Sequence, residues 1–467
     1  MKWNKFLTVV SACALSVSLI AGCGNGGSSG ASGANEGGKD AAGSGGDGSK
    51  QVANGELNVA VFQGGYGREY WDQVIEAFMK DHPGTKINLT ASPKIAELVR
   101  PKIVAGNPPD LLYIAGGDNI PLLDGLIKDK ALLDLMDIFN ENDGSGPLKD
   151  KILPGVLESR AMSPYGDGKI YLAPFNFGVL GLWYNKTLFD EKGFQPPKTW
   201  DELFAMNAAA KENGRALFTY QGIYPGYLEE VIVPAIYDLG GQKALDQFFN
   251  YDPEFWKSDV FKQVWGNILK FANEDNGLMK GTVALNHTQA QTAFMQGKAM
   301  FIPNGTWFED EMKDAPRESG FQFGFLGIPS FSGGSVKAQS NIEQIVIPAK
   351  AKNPELASEF LKYIYSDESI KLNAEKSKAV MAVKDAADLA KPYISESTYN
   401  VYKAVDNGME LVNGTFQTVA KGSKYNPKDD VYKAISSLVN KQMTLEEYGQ
   451  KMYDMYTEVS KELKQAQ

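Results

Sequence analysis

Apolar positions along residues 56–115 switch between two spacings. Glu56-Leu-Asn-Val-Ala-Val-Phe62 alternates with period two and predicts a strand. Tyr70, Trp71, Val74, Ile75, Phe78 and Met79 then fall on one helical face, and His82-Pro83-Gly84 ends the helix. Lys86 to Thr90 predicts a second strand, Ile95 to Ala105 a second helix, and Asp110 to Ala115 a third strand. Strand, helix, strand, helix, strand is a βαβαβ unit with a parallel sheet. Ligands of open parallel sheets lie beyond the carboxyl ends of the strands. That rule places Gln63 to Tyr66 and Ala115 to Asn119 at a candidate site.

Ile170 to Trp183 is apolar, β-branched and aromatic, interrupted by Pro174, Gly178 and Gly181. The pattern predicts an extended segment too irregular for one strand, bending as it crosses between two bodies. A short helix follows, ending near Gly193, and Thr199-Trp200-Asp201-Glu202 forms a capping box for the next one. Gln339 to Pro348 reads as a second crossing, which makes the pair a hinge, with Phe175 and Asn176 at its bend as cleft candidates. The C-terminal helix opens on a second capping box, Thr444 to Glu447; its stripe from Leu445 to Leu463 is core packing.

At the N-terminus, Lys2 and Lys5 precede a short apolar run, Phe6 to Ile20, of signal-peptide length. Ile20-Ala21-Gly22-Cys23 resembles a bacterial lipobox, so Cys23 is the expected lipidation site. Cys13 falls in the segment to be removed, leaving no second thiol for a disulfide. Residues from Gly24 to about Asn54 are mostly Gly, Ser, Ala, Asn and Asp, a composition that cannot offset its ordering entropy and reads as a tether. An anchor and leash imply attachment to the outer face of a membrane, as suits a Gram-positive cell.

The remaining chain, about 410 residues, exceeds a single ordinary core and implies two lobes. The formal charge of -10, without a basic stripe, excludes a nucleic-acid partner. Arginine is sparse (Arg68, Arg100, Arg160, Arg215 and Arg317 in the body), which favours a neutral ligand over a carboxylate or phosphate. His82 and His287 are the only histidines, and neither has metal-ligand spacing. Gly64-Gly65-Tyr66-Gly67 lacks dinucleotide spacing and reads as a tight turn. No cofactor is expected. Tyr220-Gln-Gly-Ile-Tyr-Pro-Gly-Tyr227 places three tyrosines and an amide on one loop. Aromatic rings stack on the C–H faces of pyranoses, and phenol and amide groups serve hydroxyls, which nominates Tyr220, Gln221, Tyr224 and Tyr227. The alternative is a tyrosine-rich turn packed on its own helix.

The run GKIYLAPFNFGVLGLWYNKTLFDEKGFQPPKTWDEL, Gly168 to Leu203, resembles extracellular solute-binding proteins of ABC sugar importers, the group that includes the maltose-binding protein. FMKDHPGTKINL and AGNPPDLLYI extend the likeness. It implies an α/β, two-lobe periplasmic-binding-protein-like fold (type II) with the ligand cleft between lobes joined by hinge crossings. By the same resemblance Asp118 or Asn119 contacts ligand hydroxyls. Trp307, in a strand ending Asn-Gly-x-Trp, is a sugar-stacking platform, and Asn341 and Glu343 face the cleft. Gln63 and Tyr66 complete the candidate set. The expected organisation is signal peptide 1–22, lipidated tether 23–55, first lobe 56–172 and 341–395, second lobe 173–340, and C-terminal helices 396–467 mainly on the second lobe. The implied function is capture of a carbohydrate by a monomer that delivers it to ABC permease transmembrane subunits. LFTYQGIYPGYL and LWYNKTLF look most like the branch that takes N-acetylglucosamine and chitin disaccharide. The competing function is a surface-anchored carbohydrate hydrolase, although no local motif nominates its paired carboxylates.

Overall fold

The computed structural model describes residues 55–115, 119–142 and 146–466, apart from the side chain of Asp406. The signal-peptide segment, Cys23, nearly all of the tether and Asp118 lie outside the described residues. Nine strands carry the fold: β1 Glu56–Phe62, β2 Lys86–Ser92, β3 Leu111–Ile114, β4 Ala173–Asn185, β5 Ala216–Phe218, β6 Ala299–Gly305, β7 Phe323–Leu326, β8 Lys337–Val346 and β9 Glu410–Val412. They follow the order β2-β1-β3-β8-β4-β6-β5, with β7 added to β4 and β9 to β8.

The βαβαβ unit forms as the spacing predicts. β1 is parallel to β2 and to β3, with Val59 opposite Leu89 on one side and Leu111 on the other. Buried Asp110, just before β3, is a structural fastener. Its carboxylate accepts from the backbone amides of Asn58 at 2.8 Å, Lys352 at 2.7 Å and Asn353 at 3.1 Å, joining β1 to the turn after β8. Charge-assisted bonds of this kind offset the cost of burying the carboxylate.

Two apolar cores result. The first gathers β1 to β3, the start of β4, most of β8 and the helices Pro354–Ile364 and Asp367–Ser377. The second gathers Leu182, Tyr184, the helices Trp200–Glu212, Glu229–Phe249 and Asp259–Asn273, and the C-terminal helices Pro427–Val439 and Leu445–Ala466. Val401 and Tyr402 belong to the first core and Val412 onward to the second, so the chain passes between them around β9.

β4 runs through both cores, from Ala173 in the first to Tyr184 in the second, whereas the buried apolar residues of β8 lie in the first; the two strands pair antiparallel, from Ala173 opposite Ile345 to Leu180 opposite Gln339. The expectation that residues 170–183 are too irregular for one strand is corrected: β4 is continuous over 13 residues. One extra residue between Pro174 and Phe177 makes a bulge, and the segment 380–382 restores its backbone pairing. Phe177 N donates to Val380 O and Ala382 N to Phe175 O, each at 2.7 Å. The glycines serve close approach and not a bend. A Cβ at Gly181 would lie 2.7 Å from the Leu326 carbonyl, and one at Gly178 3.1 Å from the Trp307 ring.

Candidate ligand-binding site

The site is built where β4, paired with β8, passes from the first core to the second. β6 ends at Gly305, and Trp307 follows it into a short helical turn. The indole fills the space above two glycines: a Cβ at Gly305 would meet it at 2.2 Å. Trp307 is partly buried and keeps some exposed surface, whereas Trp183 and Trp200 are buried. Trp183 donates to Asn304 O at 2.9 Å and meets Phe308, Phe323 and Phe325 edge-on. Trp307 is therefore an aromatic face left open beside the crossing strands, which suits stacking.

Glu343 on β8 accepts from the Tyr113 hydroxyl at 2.6 Å and from Asn176 Nδ2 at 3.1 Å. Asn176 is itself held by Asn373 Nδ2 at 2.9 Å. Burial pushes the Glu343 carboxyl up to about 7 against the opposing effect of those two hydrogen bonds. Tyr66 stands beside Glu343, Thr306 and Tyr402, and burial drives its hydroxyl well above the ordinary range. It is half-buried by accessible area yet enclosed by protein, as a group on a cleft wall is. The Tyr402 hydroxyl donates its single proton to Phe177 O at 2.7 Å, so at 3.1 Å from Thr306 Oγ1 it acts as acceptor and Thr306 as donor.

The loop after β1 reaches the second-lobe side of the site. A Cβ at Gly65 would stand 3.6 Å from Glu311 Cβ. Glu311 accepts from Gln291 Nε2 at 2.9 Å and lies 3.8 Å from His287 Nε2. Burial, then the neighbouring Glu309, pushes Asp310 up to about 6. The surroundings are acidic and hydroxyl-rich, so an anionic ligand would be repelled and a neutral one could be both donor and acceptor. Among the described residues no cluster of histidine, cysteine and carboxylate side chains could hold a metal.

The structure brings Tyr66, Asn176, Trp307 and Glu343 together. Gln63 is half-buried just before the turn, its backbone N–H donating to Ser92 O at 3.1 Å. Asn341 is exposed on β8 opposite Gly178. Phe175 is buried among Tyr70, Trp71 and Tyr113. Asn119 is also buried, and its Oδ1 accepts from Ala96 N at 3.0 Å, capping the helix Ile95–Val104. In the tyrosine loop, Tyr220 is buried on Phe218, and Gln221 donates to Pro303 O at 2.9 Å. Tyr224 is exposed against His287 with ring centres 5.7 Å apart, and Tyr227 is half-buried near Glu311 and Glu230. Sequence reasoning did not single out Thr306, Asp310, Glu311 or Tyr402. Thr306 lay inside the Asn-Gly-x-Trp run it used; Tyr402 sits in an amphipathic helix, where it is indistinguishable from core.

Residues 64–371 match the bacterial extracellular solute-binding protein family. The chain is 28% identical over 328 residues to a diacetylchitobiose binding protein of Streptomyces coelicolor, covering 68% of this chain and 67% of that one. It is 22% identical over 329 residues to a multiple sugar-binding protein of Streptococcus mutans, covering 67% and 71%. The apo form of RafE from Streptococcus pneumoniae superposes with a TM-score of 0.67 at 18% identity, covering 88% of this chain and 100% of that one. A chitin oligosaccharide binding protein gives 0.66 at 21% identity, covering 87% and 100%. These likenesses bear out the two-lobe fold. With the match running from the turn after β1 through both crossing strands, the chain belongs to the bacterial extracellular solute-binding proteins.

Proposed function

We propose that the protein captures a neutral carbohydrate of two or more rings in the cleft between its lobes and delivers it to the transmembrane subunits of an ABC importer. The observation that carries this reading is the open face of Trp307, backed by Gly178 and Gly305, beside the Glu343 carboxylate held by Tyr113 and Asn176. An aromatic platform next to fixed acceptors is what a pyranose, apolar on its faces and hydroxylated at its rim, requires. Ligand contact across both walls favours the closed arrangement, and the closed form is the one presented to the permease. The similarity to a diacetylchitobiose binding protein supports the chitin disaccharide as the first ligand to try.

The lobes are taken as 56–172 with 341–395, and 173–340 with the C-terminal helices. Cys23 carries the lipid, the segment after it is the leash, and the body works as a monomer on the outer face of a Gram-positive membrane. No helix of the described residues is long and apolar enough to cross a membrane.

Calorimetry against diacetylchitobiose, maltose, cellobiose and xylobiose tests the reading, with the sugar recovered afterwards. Binding of diacetylchitobiose with intact recovery is expected. A flat trace with that sugar alone removes the chitin assignment. Released monosaccharide would favour a hydrolase, and flat traces with all four would overturn the carbohydrate reading.

A further inference from the structure

The β8 strand offers a polar floor that runs from the Glu343 carboxylate past the level of Trp307, whose backing glycines Gly178 and Gly305 are in register with Asn341 and, through Leu180, with Gln339. Side chains alternate across a strand, so Gln339, Asn341 and Glu343 share one face. Four residues at ~3.3 Å each separate the ends by about 13 Å, more than one pyranose ring can bridge.

A second polar cluster stands at the far end. Gln339 Nε2 donates to Glu229 Oε1 at 3.1 Å, and Lys428 Nζ lies 3.0 Å from Glu229 Oε2, at ion-pair distance though not aligned as a hydrogen bond. Gln339 and Glu229 are 6% and 8% exposed, and Gln339 Oε1 has no hydrogen-bond partner among the described residues. A buried acceptor left unpaired is costly and marks a place where a donor is wanted. The Lys428 side chain keeps 52% of its surface open although protein surrounds it. It stands in the first turn of the helix Pro427–Val439, which packs in the second core. Asp124, near enough to act on it electrostatically, is on the helix Ile120–Lys128 of the first core. Lys428 and Asp124 thus stand on helices of different cores, with Glu229 linking Lys428 to the floor residue Gln339.

We propose that Lys428, held by Glu229 and Gln339, forms a distal subsite for the hydroxyls of a further ring, and that this subsite gives the protein its preference for oligosaccharides over monosaccharides. The inference rests on the carbohydrate reading above. An ammonium supplies up to three donors, and the carboxylate and free amide oxygen beside it supply acceptors, so the cluster can satisfy vicinal hydroxyls. A ring bonded at Glu343 would not reach it.

The test is calorimetry on the mature chain, with wild type, Lys428→Met and Asp124→Asn. The probes are N-acetylglucosamine and glucose, the disaccharides diacetylchitobiose, maltose and cellobiose, and the matching trisaccharides. Thermal melts establish that each variant is folded, and Lys428→Arg serves as the conservative rescue. Lys428→Met is expected to weaken di- and trisaccharide binding about tenfold or more while leaving the monosaccharide unchanged. Asp124→Asn should act in the same direction, and Lys428→Arg should recover part of the loss. If the variants bind every length as wild type does, or lose all lengths equally, the distal subsite is wrong and the carbohydrate reading stands. If wild type binds none of the sugars, the carbohydrate reading falls and takes this inference with it.

Discussion

The Tyr113 hydroxyl donates to Glu343 Oε2 at 2.6 Å, linking the third strand of the parallel unit to the return crossing. The same carboxylate oxygen accepts from Asn176 on the outgoing crossing, so one group fastens three strands. Its carboxyl titrates near 7 in the fold against an ordinary 4.5 because burial outweighs both hydrogen bonds. Between those values the folded chain binds more protons than the unfolded one, so stability falls as pH rises through that window. Glu343→Gln keeps an acceptor for Tyr113 and removes the titration. Its melting temperature relative to wild type should therefore improve from pH 5 to pH 8, by an amount worth on the order of 1 kcal/mol after allowance for solvent screening. A pH-independent difference between the two proteins would refute this.

Trp307→Ala should weaken binding of the preferred sugar by on the order of 2 kcal/mol, as loss of an aromatic anchor does. The partly buried ring belongs to neither apolar core, so the melting temperature should move little. Calorimetry and a thermal melt on the same sample separate the two effects; unchanged affinity would put the cleft elsewhere.

Gly181→Ala drives a methyl to 2.7 Å from the Leu326 carbonyl, where backbone cannot yield. A loss of ~1–3 kcal/mol is expected in urea unfolding. Gly266, inside the helix Asp259–Asn273 with open space at its Cβ position, is the control. Gly266→Ala should stabilise by about 0.5–1 kcal/mol.

Asn119→Ala removes the acceptor that caps the helix Ile95–Val104, which should cost about 1 kcal/mol of stability. Affinity measured well below the melting temperature tells whether Asn119 also serves the ligand. An unchanged dissociation constant confines it to capping, and a large loss restores the ligand role that resemblance gave it.

Cys23→Ala should leave the folded body intact and release the protein from membrane to medium, read by fractionation of expressing cells. Retention in the membrane fraction would show that something other than the lipid holds it.

Much of the fold was legible because it is written in spacing. Residues 56–115 switch period at each predicted boundary, and the capping boxes at Thr199 and Thr444 form as read, with Glu202 N on Thr199 Oγ1 at 3.2 Å and Glu447 N on Thr444 Oγ1 at 3.1 Å. β4 was misread as broken because glycine in a strand can mean either a bend or a close neighbour. Only the positions of Leu326 and Trp307 decide between them, and these lie over a hundred residues away. In the candidate site, Trp307 and Glu343 were nominated through resemblance, and the fold brings them into one neighbourhood with Tyr66 and Asn176. Lys428 and Asp124 carried no local signal: a lysine after Asn-Pro and an aspartate in a helix look like any solvated face. The tyrosine loop marks the opposite limit, since composition drew attention to Tyr220 but could not foresee that Phe218 would cover it.

The continuity of β4 and β8 also fixes how the body can deform. Two strands joined by a ladder are stiff along their length, where covalent bonds carry the load, and stiff against sliding, where every rung would shear at once. Twist is the soft direction, and the bulge at Pro174–Phe177 is where the ribbon gives most readily. The cores are thus coupled as weights on a torsion bar: a ligand bound off the axis works with a lever arm, while one bound on the axis exerts none.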